Sequence, residues 1–173
     1  MTLLTIDSVV GNIYRDKELR KRHEEMSSRL LCESIKIHRM ESQRVRMRKA
    51  TDKGTDIALT LPSGTKLRHG DVLLLTDEKM VVLELEPENV ISLEVRDNLH
   101  KDDVVEIPAR VGHAIGNLHR PLKLEDRKIY FPIQSESEIE MFTKMFSPLR
   151  DHLEIKSMKM VFEPNEGLDV HEH

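Results

Sequence analysis

The residues of this chain best suited to chemistry are histidines, one beside an expected turn and two at the carboxyl end. Gly116-Asn117-Leu118-His119 closes an apolar-periodic segment, and Pro121 comes almost at once. Gly-Asn is a helix-stop signal, so the pattern predicts that the chain turns there and presents His119 at an element end. A neutral imidazole so placed can ligate a metal, although a histidine at a helix terminus is more often a capping or surface residue. His171-Glu172-His173 adds two imidazoles on one short polar segment, with Asp169 and Glu172 as oxygen donors. Imidazole and carboxylate together suit Ni²⁺, Cu²⁺ or Zn²⁺, and the affinity order alone does not choose among them.

A single His119 cannot hold a transition metal tightly. An isologous contact about a two-fold axis would bring two copies together, and His171 and His173 would complete the shell. An open site of that kind favours capture and release, which is carrier chemistry. His113 lies six positions before His119, roughly 600° of helical rotation away and so on another face of an ideal helix. His23, His38, His69 and His100 fall in charged or turn-like stretches and read as surface residues, and His152 has no partner at ligand spacing.

Other chemistries find no support. There is no phosphate loop, no Gly-x-Ser-x-Gly elbow and no His-Glu-x-x-His, so no enzyme is expected. The lone Cys32 excludes an internal disulfide framework and a multi-cysteine metal site, and in Leu30-Leu31-Cys32 it reads as a buried, inert thiol. A formal charge of -4 with 3% aromatic residues argues against a nucleic-acid surface. No apolar run approaches the ~18 residues of a membrane span, and no secretory leader is legible. A soluble, cytoplasmic protein is expected.

The elements that must position these residues fall into two halves. Thr2 to Val10 reads as a strand, and the charged stretch Arg15 to Arg29 as an exposed loop or marginal helix. Arg44-Val45-Arg46-Met47-Arg48 alternates, which places three guanidiniums on one face of a strand. Ile57, Leu59 and Leu61 supply its hairpin partner across the turn Thr51-Asp52-Lys53-Gly54. Val72 to Leu75 and Met80 to Leu85 form a second pair. After the linker at Glu86-Pro87-Glu88-Asn89 comes a strand, Val90 to Val95. Val104, Ile107, Val111, Ile115 and Leu118 then mark an amphipathic helix, started by Asp102 or Asp103 and kinked or delayed at Pro108. Short strands at Leu122 to Leu124 and Lys128 to Pro132 precede a helix opened by a Ser135/Glu138 capping box, with Ile139, Phe142, Met145 and Phe146 on its apolar face. A last strand within Glu154 to Phe162 uses Ile155, Met158, Met160 and Phe162. The expected fold class is therefore α+β: an N-terminal all-β domain over 1–86, then a ferredoxin-like βαββαβ domain over 87–162, then a tail over 163–173.

These pieces together resemble the UreE family of urease accessory proteins, nickel metallochaperones. The resemblance rests on Gly116-Asn117-Leu118-His119-Arg120-Pro121, on Arg46 through Gly54 and on Leu61-Pro62-Ser63-Gly64. Gly70-Asp71-Val72-Leu73 and Phe162-Glu163-Pro164-Asn165-Glu166-Gly167 extend it along nearly the whole chain in order. It implies a partner-binding N-terminal β domain and a homodimer formed through the second domain. It also implies nickel held between subunits by His119 of each chain, with His171 and His173 in the place of the family's C-terminal histidines. The implied partners are the urease accessory GTPase and the apo-urease assembly complex. The tail is short for the family, which argues against storage of many ions, and Lys128 to Ile133 lacks the histidines some members carry there. The alternative reading is a metal-independent peptide-binding or assembly module that uses the Arg44/Arg46/Arg48 face.

Overall fold

The computed structural model describes residues 3–97 and 99–166; His171 and His173 lie outside them. The chain is mixed α+β and divides into two compact units, Met1–Glu86 and Pro87–His173.

The first unit contains two sheets. β1 (Leu4–Ile6), β4 (Arg46–Ala50) and β5 (Asp56–Thr60) form one, in the order β1-β5-β4. β2 (Gly11–Asn12), β3 (Cys32–Ile37), β6 (Asp71–Leu75) and β7 (Met80–Leu85) form the other, in the order β2-β6-β7-β3. The alternation in β5 buries Ile57 and Leu59 and leaves the intervening positions more open, as period-two patterning requires. β4 and β5 pair antiparallel, and β3 runs parallel to β7. The expected three-guanidinium strand face is smaller than the pattern suggests. Arg44 precedes β4 and pairs with Glu41 at 3.4 Å, and Arg48 is spent on Asp56 of the neighbouring strand.

The expectation of an all-β first unit is corrected by α1, a helix over Lys17–Ser28. Its charged composition conceals a workable helix. Asp16 caps it by accepting from the amides of Glu18 (2.8 Å) and Leu19 (3.1 Å), and Met26 is fully buried with Leu19 packed against the same cluster. Two apolar side chains seven residues apart share one face, which suffices to dock a solvated helix. His69, expected to be an ordinary surface residue, is half-buried and structural. Its Nδ1 accepts the Leu85 amide at 3.0 Å and its ring stacks on Tyr14. Cys32 is half-buried rather than buried, with its thiol directed at the carbonyl of His23.

The second unit runs β8 (Glu88–Val95), α2 (Asp103–Asn117), β9 (Lys123–Glu125), β10 (Lys128–Pro132), α3 (Ser137–Met145), β11 (Leu153–Met160). Its sheet has the order β11-β8-β10-β9, antiparallel throughout. Asp126 and Arg127 both have positive φ, so β9 and β10 are joined by the two-residue turn whose twist suits a hairpin. Ile91, Leu93, Phe131 and Leu153 from the strands meet Ile107, Val111, Ile115 and Phe142 from the helices, and Phe146 just past α3, in one core.

Several details depart from the sequence reading. α2 begins at Asp103 and accommodates Pro108, and Asp102 at its start makes no side-chain cap. The Ser135/Glu138 capping box is absent: Ser135 bonds to the hydroxyl of Ser137, and Glu138 reaches the Gln134 amide instead. Met145 and Met158 are exposed. Ile155 and Met158 have opposite parity, so a strand cannot bury both on one face, and Ile155 takes the core side. Beyond β11 the chain leaves one edge of the sheet and reaches the other, where the Asn165 amide donates to the Leu122 carbonyl at 3.1 Å. Crossing three inter-strand gaps takes about 14 Å, which the five residues from Met160 to Asn165 can span at ~3.3 Å each. Phe162, within this strap, is fully buried.

Candidate functional site

The residues around His119 owe their position to the buried face of α2. Ile107, Val111 and Ile115 recur every fourth residue and are buried against the sheet, which turns Gly116, Asn117, Leu118 and His119 towards solvent. The helix continues through Gly116 and Asn117, so these two are not the turn. The reversal comes at His119, whose φ is +52°.

The bonds identify the device. The His119 amide donates to the Gly116 carbonyl at 2.9 Å, and the Arg120 amide donates back to Ile115 at 3.4 Å. With Leu118 as the C-cap, these are the paired backbone bonds of a Schellman motif, and His119 occupies the position after the cap where glycine is usual. An L-residue in that left-handed conformation is disfavoured by about 1–2 kcal/mol, and such outliers concentrate at functional sites. The exposed imidazole also sits at the negative end of the helix dipole, a setting that favours a cation.

The histidine within α2 itself is His113. The ring of His113 lies 3.1 Å, Nε2 to Nδ2, from the side chain of Asn117, four residues on and on the same helical face. That contact engages one of the two ring nitrogens of His113. Among the described residues no three histidine, cysteine, aspartate or glutamate side chains converge as a metal cage. Two clefts of about 380 and 490 Å³ open around Val95 to Asp97, and neither is lined by a histidine or cysteine. They are large enough for a small molecule but lack imidazole or thiolate donors. Among the described residues no helix is long and apolar enough to cross a membrane.

The segment after His119 is tied down. Arg120 Nη2 meets Glu138 Oε1 at 2.5 Å, with both side chains about one-sixth exposed (16% and 17%). The other oxygen of Glu138 accepts the Gln134 amide at 2.6 Å. Asn165 holds Leu122 through its backbone and the Leu124 amide through its side-chain oxygen. Sequence reasoning misses both groups. The local pattern assigns Glu138 to a helix cap, and Asn165 is 41 residues from its partner.

The first unit holds a second polar cluster of a different kind. Glu33 is buried, and its carboxylate takes Lys79 at 2.7 Å and the Thr51 hydroxyl at 2.6 Å. Lys79 also reaches Thr55 at 2.9 Å. Burial by itself would push the Glu33 carboxyl up, but the bonds from Lys79, Thr51 and Thr55 outweigh it and hold the group down at about 2.

Comparison with known proteins bears on both units. Residues 7–86 match the family model described as UreE urease accessory protein, N-terminal domain. The urease accessory protein UreE of Natronomonas pharaonis is 31% identical over 134 residues, covering 78% of this chain and 61% of that protein. The protein of the same name from Yersinia pestis (strain Pestoides F) is 26% identical over 154 residues, covering 87% of this chain and 63% of its own length. The chain therefore spans about three-fifths of the length of the curated relatives it matches.

Proposed function

The chain belongs to the UreE family of urease accessory proteins, and from that premise we propose that it carries Ni²⁺ to the assembling urease active site as a non-enzymatic chaperone. The observation that supports this most strongly is His119 itself. It is an exposed imidazole in a backbone conformation that glycine would adopt without cost. One imidazole leaves most of a nickel shell open, so the second comes from His119 of another copy across a two-fold axis. In this reading the homodimer forms through the 87–162 domain, whose βαββαβ order we take as ferredoxin-like, and domain 1–86 engages partners. Those partners are the accessory GTPase and the apo-urease complex, in the cytoplasm.

His171 and His173 complete the shell in the same proposal. Asn165 is bonded beside Leu122, three residues from His119. Six residues separate Asn165 from His171, a chain length of up to about 20 Å, so the covalent path allows the contact. The rival reading, a metal-independent module working through Arg44, Arg46 and Arg48, is weakened because two of those three guanidiniums already pair with Glu41 and Asp56.

Nickel titration of the wild type, His119→Ala and a chain truncated after Gly167 tests the proposal. His119→Ala should lose about 100-fold in affinity, equivalent to ~2.7 kcal/mol, and the truncation should lose less. Unchanged affinity and unchanged metal per dimer in His119→Ala would remove the central assignment.

A further inference from the structure

We propose that Glu138 and Asn165 are positioning residues for His119, two clasps that fix the 119–124 segment at separate points so that the imidazole is set before metal arrives. The inference rests on the reading of His119 as a nickel ligand. It begins from a mechanical problem. A non-glycine residue in the left-handed region persists only where its surroundings over-determine it. The helix end supplies two backbone bonds, but the outer one, Arg120 N–H to Ile115 O, is long at 3.4 Å. Local geometry alone is a weak hold on a disfavoured residue.

Two side chains distant in sequence supply the remainder. Glu138 lies 18 residues beyond Arg120 and meets its guanidinium at 2.5 Å in a shielded setting. The same carboxylate takes the Gln134 amide, so one group ties the residue after His119 to the segment that leads into α3. A charge-assisted bond with both partners mostly covered is the strong kind. Further along the segment, Asn165 grips Leu122 and Leu124 with its backbone amide and its side-chain oxygen. The strap that carries Asn165 is itself anchored by fully buried Phe162. Neither Glu138 nor Asn165 needs to touch the metal. They act by removing the ordering cost that a loose loop would incur on binding.

The test uses the full chain with Ni²⁺ as the probe. Glu138→Gln keeps the shape of the side chain but removes its charge, and the paired exchange Arg120→Glu with Glu138→Arg restores opposite charges across the gap. Asn165→Ala removes the acceptor for Leu124 and leaves the backbone bond to Leu122 intact. Nickel affinity, thermal midpoint and hydrogen exchange of the 119–124 amides are read on each variant. Glu138→Gln should weaken nickel binding about tenfold, as loss of an outer-shell support commonly does, with faster exchange confined to the loop. The charge exchange should recover most of that loss, and Asn165→Ala should show a smaller loss in the same direction. Wild-type affinity in both single variants, with loop exchange raised, would overturn the clasp. Recovery of exchange protection without recovery of affinity would overturn it too. Should Glu138→Gln fail to fold, Asn165→Ala alone decides between these outcomes. A nickel-silent His119→Ala would instead sink the underlying metal assignment, so the two failures are distinguishable.

Discussion

Glu33 in the first unit and His119 in the second are both polar side chains fixed by neighbours distant in sequence, yet the neighbours do opposite things to them. Around Glu33 every bond is spent inward. Its oxygens take Lys79 and Thr51, the group is buried, and the cluster ties β3 to the turn between β4 and β5. Around His119 the bonds are spent on the backbone and on Arg120, while the imidazole is left at the surface in a conformation disfavoured for its type. A side chain whose bonding capacity is consumed inside the fold is holding the fold together. One whose mount is over-determined while its ring stays open is held ready for something outside.

That contrast can be broken most severely at Glu33. Glu33→Ala removes the anion from a Lys79 ammonium that is about one-third exposed and should cost about 2 kcal/mol, measured by chemical denaturation, with nickel affinity unchanged. A loss of metal binding without loss of stability would reverse the roles assigned to the two regions. The same group makes a pH prediction. Because the folded-state carboxyl sits at about 2 against an ordinary 4.5, its contribution is complete above about 4.5 and fades as pH falls through about 2. The acid limb of wild-type stability should therefore be steeper between those values than that of Glu33→Gln, and parallel limbs would contradict this account of Glu33.

A smaller effect tests the other side of the comparison. His119→Gly relieves the left-handed strain and should raise stability by about 1 kcal/mol while abolishing the ligand, so stability and nickel affinity should move in opposite directions. If both fell together, His119 would be a structural cap and the comparison would collapse. The smallest effect is expected at Gly116, which is helical and whose added Cβ would meet nothing within 4 Å in the isolated chain. Gly116→Ala should stabilise α2 by roughly 0.5–1 kcal/mol. A stabilised variant with normal nickel binding would show that Gly116 contributes nothing to the turn. Stabilisation with lost metal binding would sharpen the proposal by indicating a close approach of a second copy at that surface.

Much of this architecture is legible because hydrophobic periodicity is a local signal. The α2 stripe Ile107, Val111, Ile115 and the strand alternation in β5 can both be read without knowing what each face meets. α1 is only half legible, as a loop or a marginal helix, because Leu19 and Met26 among ten polar and charged residues make too thin a stripe to decide between them. Its cap, Asp16, gains meaning only once Met26 has somewhere to be buried. The capping box at Ser135 fails for a related reason. Glu138 has two possible uses, and Arg120, eighteen residues away, provides the stronger one.

Residue type and order alone therefore determined the α+β class, the amphipathic faces, the family resemblance and His119 as the histidine worth watching. They also placed two more imidazoles near the carboxyl end. Only the tertiary structure decided that the chain reverses at His119 and not at Gly116-Asn117, that Glu33 is buried against Lys79 while Arg44 and Arg48 are paired, and that Glu138 and Asn165 bond to the segment after His119. The division has one physical cause. Helix and strand patterns repeat within a few residues, whereas a hydrogen bond between groups 18 or 41 positions apart is set by how the packed elements bring them together, and no local pattern encodes that meeting.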